Sequence, residues 1–330
     1  MLLRGGDRLT EIRHHRLASF WRAGRVPHHS RFWPPAALGA ALMAGLLALL
    51  ARPIDDSAVQ KQESLFELLE NESNHDSTPT DRSDASNGPK RFEPKVPPTA
   101  EALPLAIRVG LVSQRPIKAF RASHRVLCRN HQGLVIPAHQ LVASIASSTQ
   151  QEIHCSGGPV QINRQRYVGD VSLLRHQSDW LAVISLDLET YVASVVGAEM
   201  PSQWHQEALK AQAVAARSYA LAHLARPATT SYHLGDTTRW QVFSGETSTT
   251  TASRAATLET RGMILSYGGG IVESLYASND QVSAEAHGHL GASMSQTGAQ
   301  QLASQGLPFN AILGRYYRGA SLARLKRYDQ

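Results

Sequence analysis

The chain has 330 residues, of which 18% are charged and 42% hydrophobic, which excludes a wholly disordered, fibrous or polytopic membrane protein and leaves room for more than one domain. Its 33 Lys and Arg against 27 Asp and Glu give a net +6, too modest over this length to argue for a nucleic-acid partner. Two cysteines, Cys128 and Cys155, exclude a disulfide-rich scaffold. They leave two alternatives: one bridge, if the domain lies outside the cytoplasm, or two buried thiols.

Residues 1–31 carry seven arginines against Asp7 and Glu11, and form a basic cytoplasmic segment ahead of an apolar run, Phe32–Ala51. Twenty residues at helical rise cover about 30 Å, the thickness of a bilayer's hydrocarbon. The basic flank before the run, and Asp55 and Asp56 after it, orient the remainder to the outer side. The run reads as a single-pass anchor or a cleaved leader, with a buried helix as the bland alternative. Residues 52–103 read as a disordered tether, rich in Asp, Ser, Asn, Pro and Lys, with one apolar island at Glu63–Glu70 and a stiff end at Pro94–Pro98.

The folded part is expected from Pro104. Leu105–Val112 alternates as a strand, and Leu134–Ile136, Gln140–Ile145, Val168–Leu174 and Trp180–Ser185 are further strands. The period then changes. Leu188, Tyr191, Val192, Val195 and Val196 recur at three and four, the face of a helix capped by Asp187 and stopped before Pro201. Ser202 is placed to cap a second helix over residues 203–224, whose six alanines between 208 and 220 permit close approach and mark it as central. Beyond it, Gln241–Gly245 and Gly262–Tyr267 read as strand or turn pieces and Ala252–Arg261 as a helix. Gly268–Gly270 is a turn before a strand over Ile271–Tyr276. Helices are expected up to Ser304 and over Phe309–Tyr317, with a basic tail at 321–330. The class is α+β, with a central Ala-rich helix and mixed strands.

Glu199 is the carboxylate most suited to chemistry. It stands at the carbonyl end of a helix, where negative charge is disfavoured, beside Met200 and before a proline. Both position and burial favour the protonated acid and so general-acid work. The bland alternative is a turn glutamate paired with an arginine such as Arg217. His287-Gly288-His289 is a small histidine cluster, but no His-Glu-x-x-His spacing occurs. Cys128, His154 and Cys155 make only a weak zinc set. Tyr316 and Tyr317 with Arg315 and Arg318 suit stacking on a sugar, although a packed terminal helix is the simpler account.

The stretch 187–221, DLETYVASVVGAEMPSQWHQEALKAQAVAARSYAL, resembles the SpoIID/LytB family of bacterial cell-wall proteins. Further matching pieces are Gln241-Val242-Phe243-Ser244-Gly245, Gly288-His289, Met294-Ser295-Gln296 and Tyr316-Tyr317-Arg318-Gly319, so the resemblance covers about residues 104–320. It implies a lytic transglycosylase that cleaves the MurNAc–GlcNAc β-1,4 bond of peptide-depleted peptidoglycan and leaves a 1,6-anhydro end, with Glu199 as catalytic acid. His289, Ser295, Gln296, Arg217 and Tyr219 are the expected saccharide contacts. No metal or other cofactor is implied. The partners implied are glycan strands and a cell-wall amidase, with the domain on the periplasmic or wall side of the membrane. If a second carboxylate is needed, Asp236, Glu259, Glu273 and Glu285 are the choices. The sequence also departs from the family: Ala277–Ala286 replaces a longer segment. This puts the glycan groove in doubt and keeps a second reading open, a glycan-binding protein without catalysis that stimulates an amidase.

Overall fold

The computed structural model describes residues 92–99, 101, 103–147, 151–176, 179–288 and 292–325. The basic segment, the run read as a membrane span and nearly all of the stretch read as a tether lie outside the described residues. Among the residues described, no helix is long and apolar enough to cross a membrane.

The first half is β. Strands β1 (Ala106–Gly110), β2 (Phe120–Ala122), β3 (Leu127–Asn130), β4 (Val135–Ile136), β5 (Glu152–Ser156), β6 (Val160–Ile162), β7 (Gln165–Tyr167), β8 (Asp170–His176) and β9 (Asp179–Asp187) precede the long helices. With β10 (Leu234–Gly235), seven of them form a sheet in the order β10-β1-β9-β8-β5-β3-β4, in which β10 runs parallel to β1. Strand β9 is buried continuously from Trp180 to Ile184, as expected for a strand covered on both faces, whereas β8 alternates Val171 and Leu173 inward with more exposed neighbours. Strands β2, β6 and β7 make a separate small sheet. The strand expected over Gln140–Ile145 is instead helix α1 (Leu141–Ser147). Its buried residues, Leu141 and Ile145, are four apart, a helical spacing that a short apolar run does not distinguish from a strand.

Cys128 and Cys155 sit opposite each other on β3 and β5 and form a disulfide. The bridge settles the alternatives left by the sequence and removes both sulfurs as zinc ligands. Closing a loop across a separation of 27 residues is expected to stabilise the domain by roughly 3–4 kcal/mol through the unfolded chain. Urea unfolding with and without a reductant measures this; an unmoved midpoint would show that the strands hold their register without it.

The second half is helical. Helix α2 (Leu188–Glu199) starts where expected, with the Asp187 carboxylate accepting the Thr190 N–H at 3.0 Å. At Gly197 a Cβ would stand 2.0 Å from the Ser248 carbonyl oxygen, so α2 needs glycine there to lie against the 245–248 turn. Helix α3 (Gln206–Ala225) begins later than expected, with His205 and not Ser202 at its N-cap. Residues 201–204 form a turn instead, in which the Trp204 N–H bonds the Pro201 carbonyl. Helix α3 is the hub. Its alanines at 208, 211, 213, 215, 216 and 220 are buried, and α2, α4 (Thr251–Glu259), β11 (Met263–Tyr267), α6 (Gln296–Ser304) and α7 (Phe309–Tyr316) all pack on it.

The strand expected over Ile271–Tyr276 divides in two because it changes partner. Strand β12 (Gly270–Ile271) pairs with β11, and β13 (Leu275–Ala277) pairs in parallel with β14 (Ser293–Ser295). Helix α5 (Asp280–His287) makes the crossover. Two boundaries also change. The stretch read as a basic tail opens with β15 (Ser321–Arg324), which pairs with β11 and buries Leu322 and Arg324. The end of the stretch read as a tether is part of the fold: Pro94 is buried, and the Asn310 amide donates to Glu93 Oε1 and to the Pro94 carbonyl, both at 3.0 Å.

Candidate active site

Glu199 is the last residue of α2, half-buried against the segment 241–243 and the start of α6. Its Oε1 accepts the Val242 N–H at 2.9 Å and its Oε2 accepts the Gln296 Nε2–H at 3.2 Å. Burial pushes its carboxyl above the usual value, while these two hydrogen bonds pull in the opposite direction; burial prevails. The helix's carbonyl end adds to the same preference for the neutral acid.

Both donors are fixed by the fold. Gln241 is fully buried; it accepts the Tyr191 O–H at 2.9 Å and donates to the Ala216 carbonyl at 3.2 Å, tying the segment to α2 and α3. The Phe243 ring lies 5.2 Å from Tyr191 and 5.9 Å from Tyr167, centroid to centroid. Gln241–Gly245, read as a strand or turn piece, is an irregular segment that leads into a 3-10 turn, Gly245–Thr247, and its Val242 N–H serves Glu199 instead of a sheet. Gln296 is the first residue of α6, whose N-cap Ser295 accepts the Gly298 N–H at 3.0 Å. The β13–β14 register places Ala277 opposite Ser295. Burial first, then the charge of Glu199, hold the nearby Tyr276 phenol well above its usual value, so it remains a neutral O–H.

The residues expected to touch saccharide separate into different roles. Gln296 reaches Glu199 and orients it. Ser295 is 0% exposed and its side chain caps the helix. Arg217 is likewise 0% exposed. It is paired not with Glu199 but with Glu189, at 2.9 Å through Nε and 2.7 Å through Nη2, and donates to the Met263 carbonyl. Tyr219 is buried against the His223 ring at 4.5 Å, its phenol pushed up to about 12 by burial and by Glu273, so it too belongs to the packing. His289 lies outside the described residues.

The four alternative carboxylates are engaged elsewhere. Asp236 accepts the Ser113 backbone N–H and hydroxyl, Glu259 pairs with Lys210, Glu273 with Arg226, and Glu285 accepts from Gln281. Glu199 thus has two neutral donors, and neither is shared with any of these four carboxylates. Among the described residues, no three His, Cys, Asp or Glu side chains are grouped to hold a metal. A cavity of about 540 Å³ beside α2 and α4 is lined by residues such as Ser194, Phe243 and Leu258 and does not include Glu199.

The SpoIID family model, described as stage II sporulation protein, matches residues 176–267 and so contains Glu199, Gln241 and Val242. That stretch of the chain is similar to the SpoIID family. An uncharacterised protein of Brachyspira hyodysenteriae is 32% identical over 118 residues, 36% of this chain and 32% of its own length. The amidase enhancer of Bacillus subtilis is 36% identical over 86 residues, 26% of this chain and 11% of its own. The chain therefore spans less than two thirds of either relative. The short segment Ala277–Ala286 lies beyond the matched residues. Helix α5 and the parallel β13–β14 pair bridge it and still deliver Gln296 to Glu199.

Val242, Gln241 and Tyr276 carry no role in the reading of residue types alone. Val242 acts through its backbone, which no side-chain pattern reveals. Gln241 was visible only as part of the Gln-Val-Phe-Ser-Gly match.

Proposed function

We propose that this protein acts on the bacterial cell wall as a peptidoglycan lytic transglycosylase, with Glu199 as its single acid and base. The observation that carries this reading is a half-buried carboxyl at a helix's carbonyl end, biased towards its protonated form and oriented by Val242 and Gln296. Glu199 gives its proton to the glycosidic oxygen as the bond to MurNAc C1 breaks. The resulting carboxylate takes the proton of the C6 hydroxyl while O6 bonds to C1, so the acid is regenerated and an anhydro end remains. Hydrolysis would instead call for a second carboxylate at a defined separation, and the four choices are committed to other partners.

The test is product analysis. Amidase-stripped and intact peptidoglycan, treated with the full chain and resolved by mass spectrometry, should give 1,6-anhydro-MurNAc ends. Hydrated reducing ends would replace the mechanism, and no cleavage would remove the enzyme. The likeness to a protein named amidase enhancer favours a second reading, a glycan-binding partner that stimulates an amidase. Glycan retention without cleavage, with faster amidase turnover in the mixture, would select it. The disulfide suits an oxidising compartment, in keeping with a domain tethered through residues 32–51 on the outer side of the membrane.

The pH profile offers a separate check. The Gln296 bond favours the carboxylate, so Gln296→Leu should raise the Glu199 value further. A general acid works while protonated, so activity falls as pH rises through that value. The alkaline limb of kcat should therefore move to higher pH in the variant. An unmoved limb would detach Gln296 from the acid.

A further inference from the structure

The cavity of about 540 Å³ beside α2 and α4 has no part in the chemistry assigned to Glu199. Its volume is in the range of small-ligand sites. Its walls are largely apolar: Leu186 at the end of β9, Ala193 of α2 and Phe243 line it from the interior, and Leu258 of α4 lines it while 68% exposed. Three of its polar side chains lack a partner. Thr257 is buried, and its hydroxyl oxygen has no hydrogen bond, a condition rare enough in an interior to call for an occupant. Arg254 and Arg261 are exposed, and among the described residues no carboxylate pairs with either. Two carboxylates also line the cavity, but each already holds another arginine, Glu189 with Arg217 and Glu246 with Arg166. The cavity therefore suits large apolar side chains flanked by negative charge.

The chain itself carries such a sequence. The apolar island Glu63–Glu70, ESLFELLE, lies outside the described residues and sets Leu65, Phe66, Leu68 and Leu69 among Glu63, Glu67 and Glu70. No Lys or Arg occurs from residue 62 to residue 81. The three glutamates recur at four and three, the spacing at which Arg254, Leu258 and Arg261 recur along α4 and the turn after it. The site is also within reach. The first described residue is Phe92, whose carbonyl lies against Gly314 of α7, and α7 and α4 both pack on α3. The 21 residues between Glu70 and Phe92 cover about 70 Å when extended, against a breadth of about 45 Å for a domain of this size.

We propose that Glu63–Glu70 docks in this cavity within its own chain, with its leucine and phenylalanine side chains against Leu186, Phe243 and Leu258 and its glutamates paired with Arg254 and Arg261. Apolar burial supplies the attraction, and the opposite charges fix the register. A segment that binds weakly as a free peptide still fills the site when it is linked to it, because a linker that spans the distance gives an effective concentration on the order of millimolar. Docking divides the stretch 52–91: only the residues before Glu63 then set how far the domain reaches from residues 32–51, and release of the segment restores the full length. The proposal does not depend on what Glu199 does.

Amide hydrogen exchange on the full chain reads the docking directly. Residues 251–261 should exchange on the order of tenfold more slowly in the parent than in a variant with Leu65→Ser, Phe66→Ser and Leu69→Ser. A peptide of residues 61–72, added to that triple variant, should restore the protection. Arg254→Glu with Arg261→Glu should abolish it, and Glu63→Arg with Glu67→Arg in the same chain should bring it back. Both arginines are exposed, and a melting curve for each variant shows that the fold is kept. Equal exchange over 251–261 in the parent and the triple variant, or protection that survives the reversal of both arginines, would overturn the proposal. Protection that grows with protein concentration would assign the cavity to a second copy and overturn docking within one chain. None of these readouts involves glycan cleavage, so the reading of Glu199 stands or falls separately.

Discussion

Glu199→Gln should fold as the parent does and lose glycan cleavage by about 10²–10⁴-fold, the range that one positioned acid contributes. The substitution keeps the side chain's size and its carbonyl oxygen, which still accepts the Val242 N–H; Gln296 turns its own amide to meet the new NH2 group. Stability has a definite sign. The folded value of Glu199 lies above its ordinary 4.5. The neutral acid's contribution is therefore fully present below 4.5 and is lost as pH rises through the raised value. Glutamine is neutral throughout, so the variant should melt no lower than the parent at neutral pH, and the two curves should converge in acid. Parallel melting curves and anhydro-end counts decide the matter. Cleavage within tenfold of the parent would mean that another group supplies the proton. Loss of both fold and cleavage would mean that Glu199 is a structural residue.

Much of the helical half was legible because its signals are local. Asp187, the three-and-four spacing from Leu188 to Val196 and Pro201 together fix both ends of α2, and with them the position of Glu199 at a helix terminus. The alanines of α3 likewise announce a central helix, and they are buried as that requires. What escaped depends on distant partners. The short β2, β6 and β7 exist only through one another, and β15 exists because β11 has an edge to pair, so a stretch that reads as a tail becomes a strand. The same holds at the site. Residue types marked Glu199 as an acid, but its two donors come from 43 and 97 residues away, one of them a backbone N–H. Ser295, Arg217 and Tyr219, expected at the saccharide, show the converse. Polar or aromatic residues near a family motif suggest ligand contacts, whereas here they cap a helix, pair in the interior and pack on His223.

Arg217→Ala is expected to destabilise the domain by about 3–5 kcal/mol, the cost of removing one partner from a buried ion pair. Arg217 has no exposed surface, and its guanidinium forks onto both oxygens of Glu189 while reaching the Met263 carbonyl. Glu189 Oε1 also accepts the Gly262 N–H at 3.1 Å, so one charge pair joins the start of α2, the middle of α3 and the entry to β11. Truncation leaves the carboxylate beside an apolar cavity and strands the Met263 carbonyl. Removing both charges is a different matter. Arg217→Met with Glu189→Leu replaces the pair by apolar atoms of similar size and should recover a large part of the loss. Urea unfolding of the two single variants and the double variant measures the coupling; equal losses in Arg217→Ala and in the double variant would show that the charged pair and its hydrogen bonds matter most, since apolar atoms of similar size would then not replace it. The location of the pair also separates structure from binding. Glu189 and Glu199 lie at opposite ends of α2, so a looser anchor at one end displaces the acid at the other. Arg217→Ala should therefore lower kcat under conditions where it is still folded, while the affinity of the folded protein for stripped glycan stays that of the parent. A weakened affinity with an unchanged kcat would restore Arg217 to the ligand contacts from which its burial removes it.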